Sequence, residues 1–397
     1  MKRLNFIILL AISAMFFSCE RNEPENRPEQ STLQRAEIIF DKTFPDISDV
    51  HRIRLNSNDD IFIFGSSSVV KIDRNGNKKW SIPQGAIDLA PTSDGGCVIV
   101  SVRGTSFFNR VFYLIKICSE GNIEWERSGA NYQLSRIIVG SNDEIFGIGD
   151  IGVEHRAQPK FFKYTKDGDY LFSSFLTETR WESYQTISML KLNNNNFVIG
   201  TLNSVSTDRQ NFDFNIIEFD INANVILERN YGGFRNEFLT DITETPDDGL
   251  ILVGITDSRD GDIKSWRDEL SLDNGGNAWI VRLDENREIK WEKVMGGADT
   301  SASTWFAKSF YGSNKILVAF QTSATDLDFK GLETRNTAGY ITFDTAGNVL
   351  NIRHIESSMV WSGTGSCVFD SQGNLVILSM IHDDYFMTDT PRLIKIR

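Results

Sequence analysis

A strand–turn–strand motif that recurs along the whole chain is the feature that most constrains its fold. It is clearest at residues 280–293, IVRLDENREIKWEK, where an apolar strand, a polar turn and a Trp-bearing strand follow one another. The chain contains seven copies of this strand, counting LIKIR from Leu393, and most keep the turn as well: VVKIDRNGN from Val69, LIKICSEGN from Leu114, FFKYTKDGD from Phe161, IIEFDINAN from Ile216 and YITFDTAGN from Tyr340. Their spacing of roughly 45 to 65 residues is typical of propeller blades and not of helical solenoids.

Each repeat also has a first half, in which two strands are joined by a turn rich in Asp, Asn, Gly and Ser. Examples are LAPTSDGGCVIV from Leu89, IIVGSNDEIFGIG from Ile137 and ITETPDDGLILVG from Ile242. Gly and Asn tolerate positive φ, and Asp and Ser bond to nearby amides, so such turns favour tight hairpins. With four strands per repeat and no helical period between repeats, the sequence predicts an all-β fold, a seven-bladed β-propeller of four-stranded antiparallel blades.

A large side chain recurs in the fourth strand of several repeats, as Trp80, Trp125, Phe172 and Trp291. Leu227 takes this place in the fourth repeat, and Asn351 breaks the pattern in the sixth. A flat aromatic side chain buries much apolar area where one sheet packs on the next. We therefore predict that these side chains pack between blades and do not form ligand platforms.

The two ends of the chain predict how the ring closes. The LIKIR strand stops at Arg397, so the seventh repeat has a third strand but no fourth. Residues 36–44, AEIIFDKTF, look like a fourth strand with nothing before it. Because pairing removes an exposed strand edge, we predict that this N-terminal segment forms the outer strand of blade seven against the Leu393 strand.

The first thirty residues have the pattern of a targeting signal. Lys2 and Arg3 precede a mostly apolar stretch, residues 5–17, and Ser18 precedes Cys19. The next segment, ERNEPENRPEQ, lacks large apolar residues and is too polar to fold. We predict a signal peptide at 1–18, a lipidated Cys19 with an acidic tether at 19–33, and the propeller at 34–397. A plain secretory signal with an incidental Cys is the alternative.

The composition of the chain limits the classes of partner that it can bind. The net charge of −13 and the pI near 4.9 disfavour binding to nucleic acid, which needs a basic patch. Cys97, Cys118 and Cys367 have no CxxC spacing and predict neither a zinc site nor a redox motif. An antiparallel hairpin would bring Cys97 and Cys118 roughly opposite each other, so a disulfide and a pair of free thiols both remain open.

Two resemblances follow from these residues. The boundary at Cys19 resembles the signal of Bacteroidetes-type lipoproteins, which implies lipid anchoring in a bacterial cell envelope, at the outer membrane. The blocks DITETPDDGLILVGITDS and NAWIVRLDENREIKWEKVMGG look like the repeats of Bacteroidetes-type β-propeller proteins, and more loosely like quinoprotein-type propeller repeats. The quinone-dependent members of that looser family carry an adjacent Cys-Cys pair, and the sequence has none, so no quinone cofactor is expected.

Local catalytic motifs are absent from the sequence. The four histidines have no metal-binding spacing, and no nucleophile or phosphate-loop motif occurs. Asp257, Asp260 and Asp262 lie in one loop, where clustered oxygen atoms would suit Ca²⁺. A solvated acidic loop is the competing interpretation, because Ca²⁺ needs six to eight oxygen ligands. An enzyme is therefore not the favoured class.

Loop length is the best sequence guide to function. Loops after the second strand are minimal in the first repeat and longest in the fifth (256–277) and sixth (322–337), and in a propeller they emerge on the same face as the links between blades. Trp266, in the middle of the fifth loop, is the first choice for a ligand contact. The full set of predicted binding residues is Trp181, Tyr184, Trp266, Arg267, Asp383 and Tyr385.

Three functional classes remain. Exposed aromatics beside carboxylates suit carbohydrate, because a sugar ring stacks on an aromatic face while its hydroxyls form hydrogen bonds. A scaffold for other envelope proteins would show a broad apolar patch, and an enzyme would use carboxylates in a cleft. The favoured prediction is an envelope-anchored binding protein, with glycans as a possible ligand class.

Overall fold

The strands form seven sheets, one for each predicted repeat. The structure is a computed structural model that describes residues 32–104, 110–129, 133–153, 156–178, 184–204, 212–271, 276–299, 304–333, 337–356, 360–361, 367–383 and 388–397. Within these ranges five sheets pair four strands antiparallel in chain order, and the other two each gain a strand from the N-terminal segment. The first strands of neighbouring sheets contact one another around a closed ring, so they line a central channel. The predicted seven-bladed β-propeller is confirmed.

The first three blades follow the repeat boundaries closely. Blade one consists of β3 (Val50–Leu55), β4 (Ile61–Gly65), β5 (Val69–Ile72) and β6 (Lys78–Ile82). Blade two consists of β7 (Asp88–Pro91), β8 (Cys97–Arg103), β9 (Val111–Ile117) and β10 (Ile123–Ser128). Blade three consists of β11 (Arg136–Val139), β12 (Ile145–Val153), β13 (Arg156–Tyr164) and β14 (Tyr170–Phe175).

The next three blades have longer first strands. Blade four consists of β15 (Tyr184–Lys191), β16 (Phe197–Ser204), β17 (Phe212–Phe219) and β18 (Val225–Tyr231). Blade five consists of β19 (Glu237–Glu244), β20 (Leu250–Thr256), β21 (Asn277–Leu283) and β22 (Ile289–Met295). Blade six consists of β23 (Thr304–Gly312), β24 (Lys315–Thr322), β25 (Thr337–Phe343) and β26 (Val349–Glu356).

The N-terminal segment closes blade seven, as predicted. This blade contains β27 (Val360–Trp361), β28 (Cys367–Phe369), β29 (Leu375–Asp383) and β30 (Thr388–Ile396), with β27 and β28 both paired to β29. Strand β2 (Ile38–Thr43) adds the outer strand by antiparallel pairing with β30. Arg392 reinforces the closure by donating to the Asp41 carboxylate, with Nε 2.7 Å from Oδ1.

A second N-terminal strand was not predicted. Strand β1 (Thr32–Arg35) pairs parallel with β26 and becomes a fifth strand of blade six. The chain then crosses to blade seven through hydrogen bonds from Ala36 N to His354 O (2.8 Å) and from Glu37 N to Arg397 O (2.9 Å). Strand pairing thus starts two residues before the predicted boundary at 34, and one short segment joins the outer edges of two blades.

Turns between the third and fourth strands share one hydrogen-bonding pattern. In blade one the Asp73 carboxylate accepts hydrogen bonds from the backbone amides of Asn75 (2.9 Å) and Asn77 (2.8 Å). Gly76 takes a positive φ of 82° in the same turn, a conformation that glycine adopts without steric cost. Asp220, Asp284 and Asp344 repeat the pattern in blades four, five and six, and Asp370 repeats it in the turn between the first and second strands of blade seven. The recurring Asp and Gly therefore build the turns that the motif predicts.

The fourth-strand tryptophans pack between blades, as predicted. The Trp80 indole lies against Gly121 of blade two and donates its Nε1–H to Ser119 O at 2.8 Å. Trp291 makes the same contact between blades five and six, against Gly347, with Nε1 donating to Thr345 O at 3.0 Å. A Cβ on either glycine would lie within 3.0 Å of the indole. Each Trp thus needs the glycine of the following blade.

Blade four joins blade five by a different contact. Where other blades pair an aromatic with a glycine, Arg287 occupies the turn position of blade five and is buried. Its guanidinium pairs with the buried Glu218 carboxylate at 2.8 Å, and its carbonyl accepts the Tyr231 hydroxyl at 2.7 Å. Polar contacts therefore replace the contact between an aromatic ring and a glycine at this turn.

The core is divided among the blade interfaces. Seven clusters of buried apolar side chains each join two neighbouring blades. Cys97 and Cys367 are buried free thiols, and Cys118 is a partly buried free thiol. The register places Cys97 opposite Ile117, so Cys118 lies one residue past its partner. No helix among the described residues is long and apolar enough to span a bilayer.

Candidate functional site

The loops on one face differ sharply in length from blade to blade. We define the long-loop face as the loops after each second strand together with the links between blades. In blade one β4 ends at Gly65 and β5 begins at Val69, whereas β20 ends at Thr256 and β21 begins only at Asn277. Blade six has the next long loop, between Thr322 and Thr337. This confirms the predicted asymmetry, except that in blade three β12 and β13 extend until two residues separate them.

The long loop of blade five is fixed to its own blade by Glu292, on the outer strand β22. The Glu292 carboxylate accepts hydrogen bonds from the backbone amides of Lys264 (3.0 Å) and Ser265 (2.6 Å) and from the Ser265 hydroxyl (2.9 Å). It also accepts the indole N–H of the buried Trp279 at 2.9 Å. One carboxylate therefore determines where the middle of this loop lies.

The long loops of blades five and six are tied to each other. Arg267 pairs with the Asp328 carboxylate, which also accepts the backbone amide of Gly296 at 3.0 Å. Asp326 accepts the amide of Ala298 at 3.0 Å. These bonds join two loops and the link between their blades into one ordered unit. We call this unit, residues 257–271 and 323–333, the loop wall.

Trp266 is less exposed than its position in the loop suggests. It is partly buried and packs against the core cluster between blades four and five, which also contains Ile263 and Leu270 of the same loop. Arg267 is 43% exposed by its side chain, although its guanidinium is engaged by Asp328. Both residues thus help to hold the loop wall, and their contact with a ligand stays a prediction.

Of the other four predicted binding residues, two fall outside the described residues and two are described by their backbone alone. Trp181 and Tyr385 fall outside the described residues. Tyr184 begins β15 and Asp383 ends β29, so both backbones reach the long-loop face, but their side chains are outside the description. The structure therefore places these two positions on the predicted face without assigning them a contact.

The loop aspartates are used for internal hydrogen bonds. Asp260 Oδ1 accepts the amide of Phe234 at 2.8 Å, and Asp262 Oδ2 accepts the amide of Gly232 at 3.1 Å. Burial raises the pKa of the Asp257 carboxyl. Among the described residues, no three His, Cys, Asp or Glu side chains are grouped to hold a metal ion. The carboxylates of Asp260 and Asp262 therefore secure the link between blades four and five, and a Ca²⁺ site at Asp257, Asp260 and Asp262 stays a prediction.

Phe234 and Trp305 are strongly exposed aromatic residues on the long-loop face. Phe234, in the link between blades four and five, is 58% exposed. Trp305, the second residue of β23, is 45% exposed at the start of the first strand of blade six. Phe234 lies in the link that leads into blade five, and Trp305 lies in blade six; these are the two blades that carry the loop wall. Sequence position alone gave no sign that these two, and not Trp266, are the more exposed aromatics.

A pair of carboxyl groups lies under the link between blades four and five. Asp213 and Glu237 converge on Gly232, where an added Cβ would lie 2.5 Å from an oxygen of each. Glu237 is fully buried and accepts hydrogen bonds from Thr256 Oγ1 (2.7 Å) and Gly233 N (2.9 Å). Residue 232 must therefore be glycine, because a side chain there would collide with the two carboxylate oxygens.

Burial shifts the pKa of both carboxyls upward. Desolvation raises the pKa of Asp213 to about 6, and the nearby Asp262 charge adds to the effect. Desolvation likewise raises the pKa of Glu237 to about 7, although the hydrogen bonds that its carboxylate accepts favour the charged form. The pair as a whole therefore retains a proton to higher pH than isolated carboxyl groups do. Sequence reasoning missed the pair because its members lie on different blades.

Comparison with known proteins supports the fold alone. No protein-family model matches the chain, and no curated protein matches its sequence. The WD40 domain of Pan2 from Neurospora crassa is 10% identical, with a TM-score of 0.55 over 92% of this chain and 97% of that one. Drosophila Plexin A, solved in complex with Semaphorin 1b, is 7% identical, with a TM-score of 0.50 over 92% and 88%.

A bacterial structure also matches, more weakly. A protein of unknown function from Bacteroides caccae is 12% identical, with a TM-score of 0.39 over 62% of this chain and 81% of that chain. A likeness at this level supports no conclusion about function. At the identities of the Pan2 and Plexin A matches, what is shared is the architecture, which serves many unrelated functions.

Proposed function

We propose that this propeller is a binding protein that receives its ligand on the long-loop face, against the loop wall. The observation that carries the proposal is the asymmetry of this face, where the two longest loops are joined by the Arg267–Asp328 pair. Loops that have no ligand to position gain little from such fixation, whereas a pre-ordered surface lowers the entropic cost of binding. The wall stands on one side of the ring, so the ligand lies off the central axis.

Glycans are the ligand class that this face suits best. Phe234 and Trp305 present exposed aromatic surface, on which the apolar face of a sugar ring stacks. The acidic residues Asp257 and Asp260 lie in the adjoining loop and offer acceptors for sugar hydroxyls. Aromatic surface next to fixed carboxylates is the combination that carbohydrate recognition uses.

Alanine substitution of the two exposed aromatics tests this proposal. A glycan array probed with the full chain should identify ligands, and Phe234→Ala or Trp305→Ala should each weaken binding roughly ten-fold, the effect of losing about 1.4 kcal/mol of contact energy. Tyr170→Ala is the matched control, because Tyr170 is 42% exposed at the opposite end of a blade. Equal affinities in all three variants would place the ligand elsewhere.

A protein scaffold is the second candidate. It is favoured by the general use of propellers in complexes, of which Plexin A with Semaphorin 1b is one example among the structural matches. A pull-down from envelope extracts, performed beside the array, separates the two candidates. A partner captured by the wild type and lost with both Phe234→Ala and Trp305→Ala would assign the face to a protein. An enzyme using the Asp213–Glu237 pair is less favoured, because Glu237 is fully buried.

The proposed location is the outer membrane of a bacterial envelope, through a lipid on Cys19. Support comes from the sequence pattern around Cys19, since residues 1–31 lie outside the description. Two or more acyl chains hold a protein stably on a bilayer, whereas one does not. Cell fractionation should find the full chain with membranes and the Cys19→Ala variant in the soluble fraction. An unchanged membrane fraction would refute the anchor.

A further inference from the structure

The central channel contains a cluster of arginines away from the loop wall. The first strands of all seven blades line a cavity of about 270 Å³, and Arg54 and Arg136 reach it from blades one and three. Arg52 lies two residues before Arg54 on β3, closer to the long-loop face. In a chain with a net charge of −13, this is a local concentration of positive charge.

Hydrogen bonds hold Arg52 and Arg54 against blade two, while Arg136 donates from Nε to Ile187 O at 3.0 Å and from Nη1 to Ser135 O at 2.7 Å. Arg52 Nη1 donates to Ile87 O at 2.5 Å, and Arg54 Nη2 pairs with the Asp88 carboxylate at 3.0 Å. The second oxygen of Asp88 accepts the amide of Ile137, which is adjacent to Arg136, at 3.0 Å. The buried Asp88 therefore holds the first strands of blades one and three at a fixed distance from its own strand.

The charges in this cluster are not balanced around Arg52. Burial lowers the pKa of Arg52, and the positive charge of Arg136 and then that of Arg54 add to this effect, while Asp88 opposes it. Asp88 is already paired with Arg54. A guanidinium carries five N–H donors. Among the described residues, Ile87 O accepts a hydrogen bond from one of the donors of Arg52. The site thus offers donors and positive charge to an incoming anion.

A second cavity connects Arg52 to the long-loop face. Arg52 lines a cavity of about 300 Å³ together with Ser66, Gly85 and Ala86. Ser66 belongs to the short loop of blade one, and residues 85 and 86 belong to the link between blades one and two. Both loops are short, and they belong to blades one and two, whereas the loop wall belongs to blades five and six, so the loop wall does not cover this entrance. The Ser66 side chain is exposed there and adds a hydroxyl donor.

We propose that Arg52, Arg54 and Arg136 form an anion site in the channel mouth that binds a phosphate or sulfate group. A doubly charged tetrahedral oxyanion matches the excess positive charge, and its oxygens accept several N–H donors at once. The site lies at blades one to three, across the ring from the loop wall. It is therefore independent of the ligand proposed for Phe234 and Trp305.

Titration with inorganic phosphate and with sulfate tests the site. Calorimetry and thermal unfolding of the full chain, at constant ionic strength set with sodium chloride, should show saturable binding of one anion. Arg52→Gln should weaken this binding at least ten-fold, and Arg74→Gln, which removes an exposed arginine from a turn on the opposite face, should leave it unchanged. Comparing phosphate with sulfate identifies which of the two groups the site prefers.

The outcomes separate the proposal from a structural role of Arg52. Arg52→Lys keeps one positive charge without the forked donors, so it should fold and bind with a loss smaller than that of Arg52→Gln. If neither anion gives saturable binding, the site does not exist. If Arg52→Gln or, should that variant not fold, Arg52→Lys binds as tightly as the wild type, the anion is held elsewhere. Either result overturns the inference.

Discussion

Deleting residues 31–46 should lower the free energy of unfolding by at least about 5 kcal/mol, or prevent folding altogether. The deletion removes β1 and β2 together, and with them the outer strands of blades six and seven. Phe40 and Phe44 are buried in the core between blades seven and one, and each contributes roughly 1.5–3 kcal/mol by burial alone. The loss also exposes the edges of β26 and β30, which then become available for aggregation.

The matched control for this deletion is the removal of residues 20–30. That segment precedes the first described strand, so its loss should leave the midpoint of thermal unfolding unchanged. Both variants are compared by thermal unfolding and by size-exclusion chromatography. A monomeric 31–46 deletion with the midpoint of the wild type would show that the ring is stable without its closure.

The second large effect concerns pH. Asp213 and Glu237 have folded-state pKa values near 6 and near 7, above their ordinary values of 3.8 and 4.5. The folded protein therefore binds more protons than the unfolded chain between about pH 4 and pH 7, and its stability falls as pH rises through this window. Below about pH 4 both states are protonated, so the pair contributes no pH dependence there.

Asp213→Asn isolates the contribution of this pair. The Asn amide donates a hydrogen bond to Glu237, and it removes one of the two charges. Relative to wild type, the variant should gain about 2 kcal/mol of stability at pH 8 and nearly none at pH 4, a value already reduced because Asp213 is partly exposed. Denaturant unfolding from pH 4 to pH 8 measures the difference.

A surface carboxyl provides the control for the pH series. Glu285 is exposed in the turn before β22, and Glu285→Gln should unfold as the wild type does at every pH. A gain for Asp213→Asn that is the same at pH 4 and pH 8 would mean that packing, and not ionisation, is responsible. No gain at pH 8 would mean that the two carboxyls do not retain a proton to higher pH than isolated carboxyl groups do.

Local patterns were sufficient to predict the blades. The Asp and Gly of each turn act within five residues, as Asp73 does with Asn75 and Asn77, so their structural role is visible in the sequence. The closure by β2 was predictable because the seventh repeat lacks an outer strand. Strand β1 was not predictable, since TLQR is short, and its parallel pairing with β26 has no turn to set the register.

The functional features depend on side chains that only the closed ring brings together. Loop length predicted the position of the loop wall, but Trp266 was the first choice for exposure although its side chain packs against Ile263 and Leu270. Neither the cluster at Arg52 nor the pair at Glu237 leaves a local pattern. Their members come from different blades, and their chemistry arises from burial and long-range proximity.

The pairing of β2 with β30 imposes an order on folding during synthesis. Asp41 contacts Arg392, so residues that leave the ribosome early cannot reach their partners until nearly the whole chain has been made. Contacts of such sequence separation form slowly because a long loop must close first. The strands of blades one to five are consecutive in the chain, whereas the N-terminal segment must wait for blades six and seven, which are made last. A chaperone that protects residues 32–44 during this interval would have its greatest effect on the yield of folded protein.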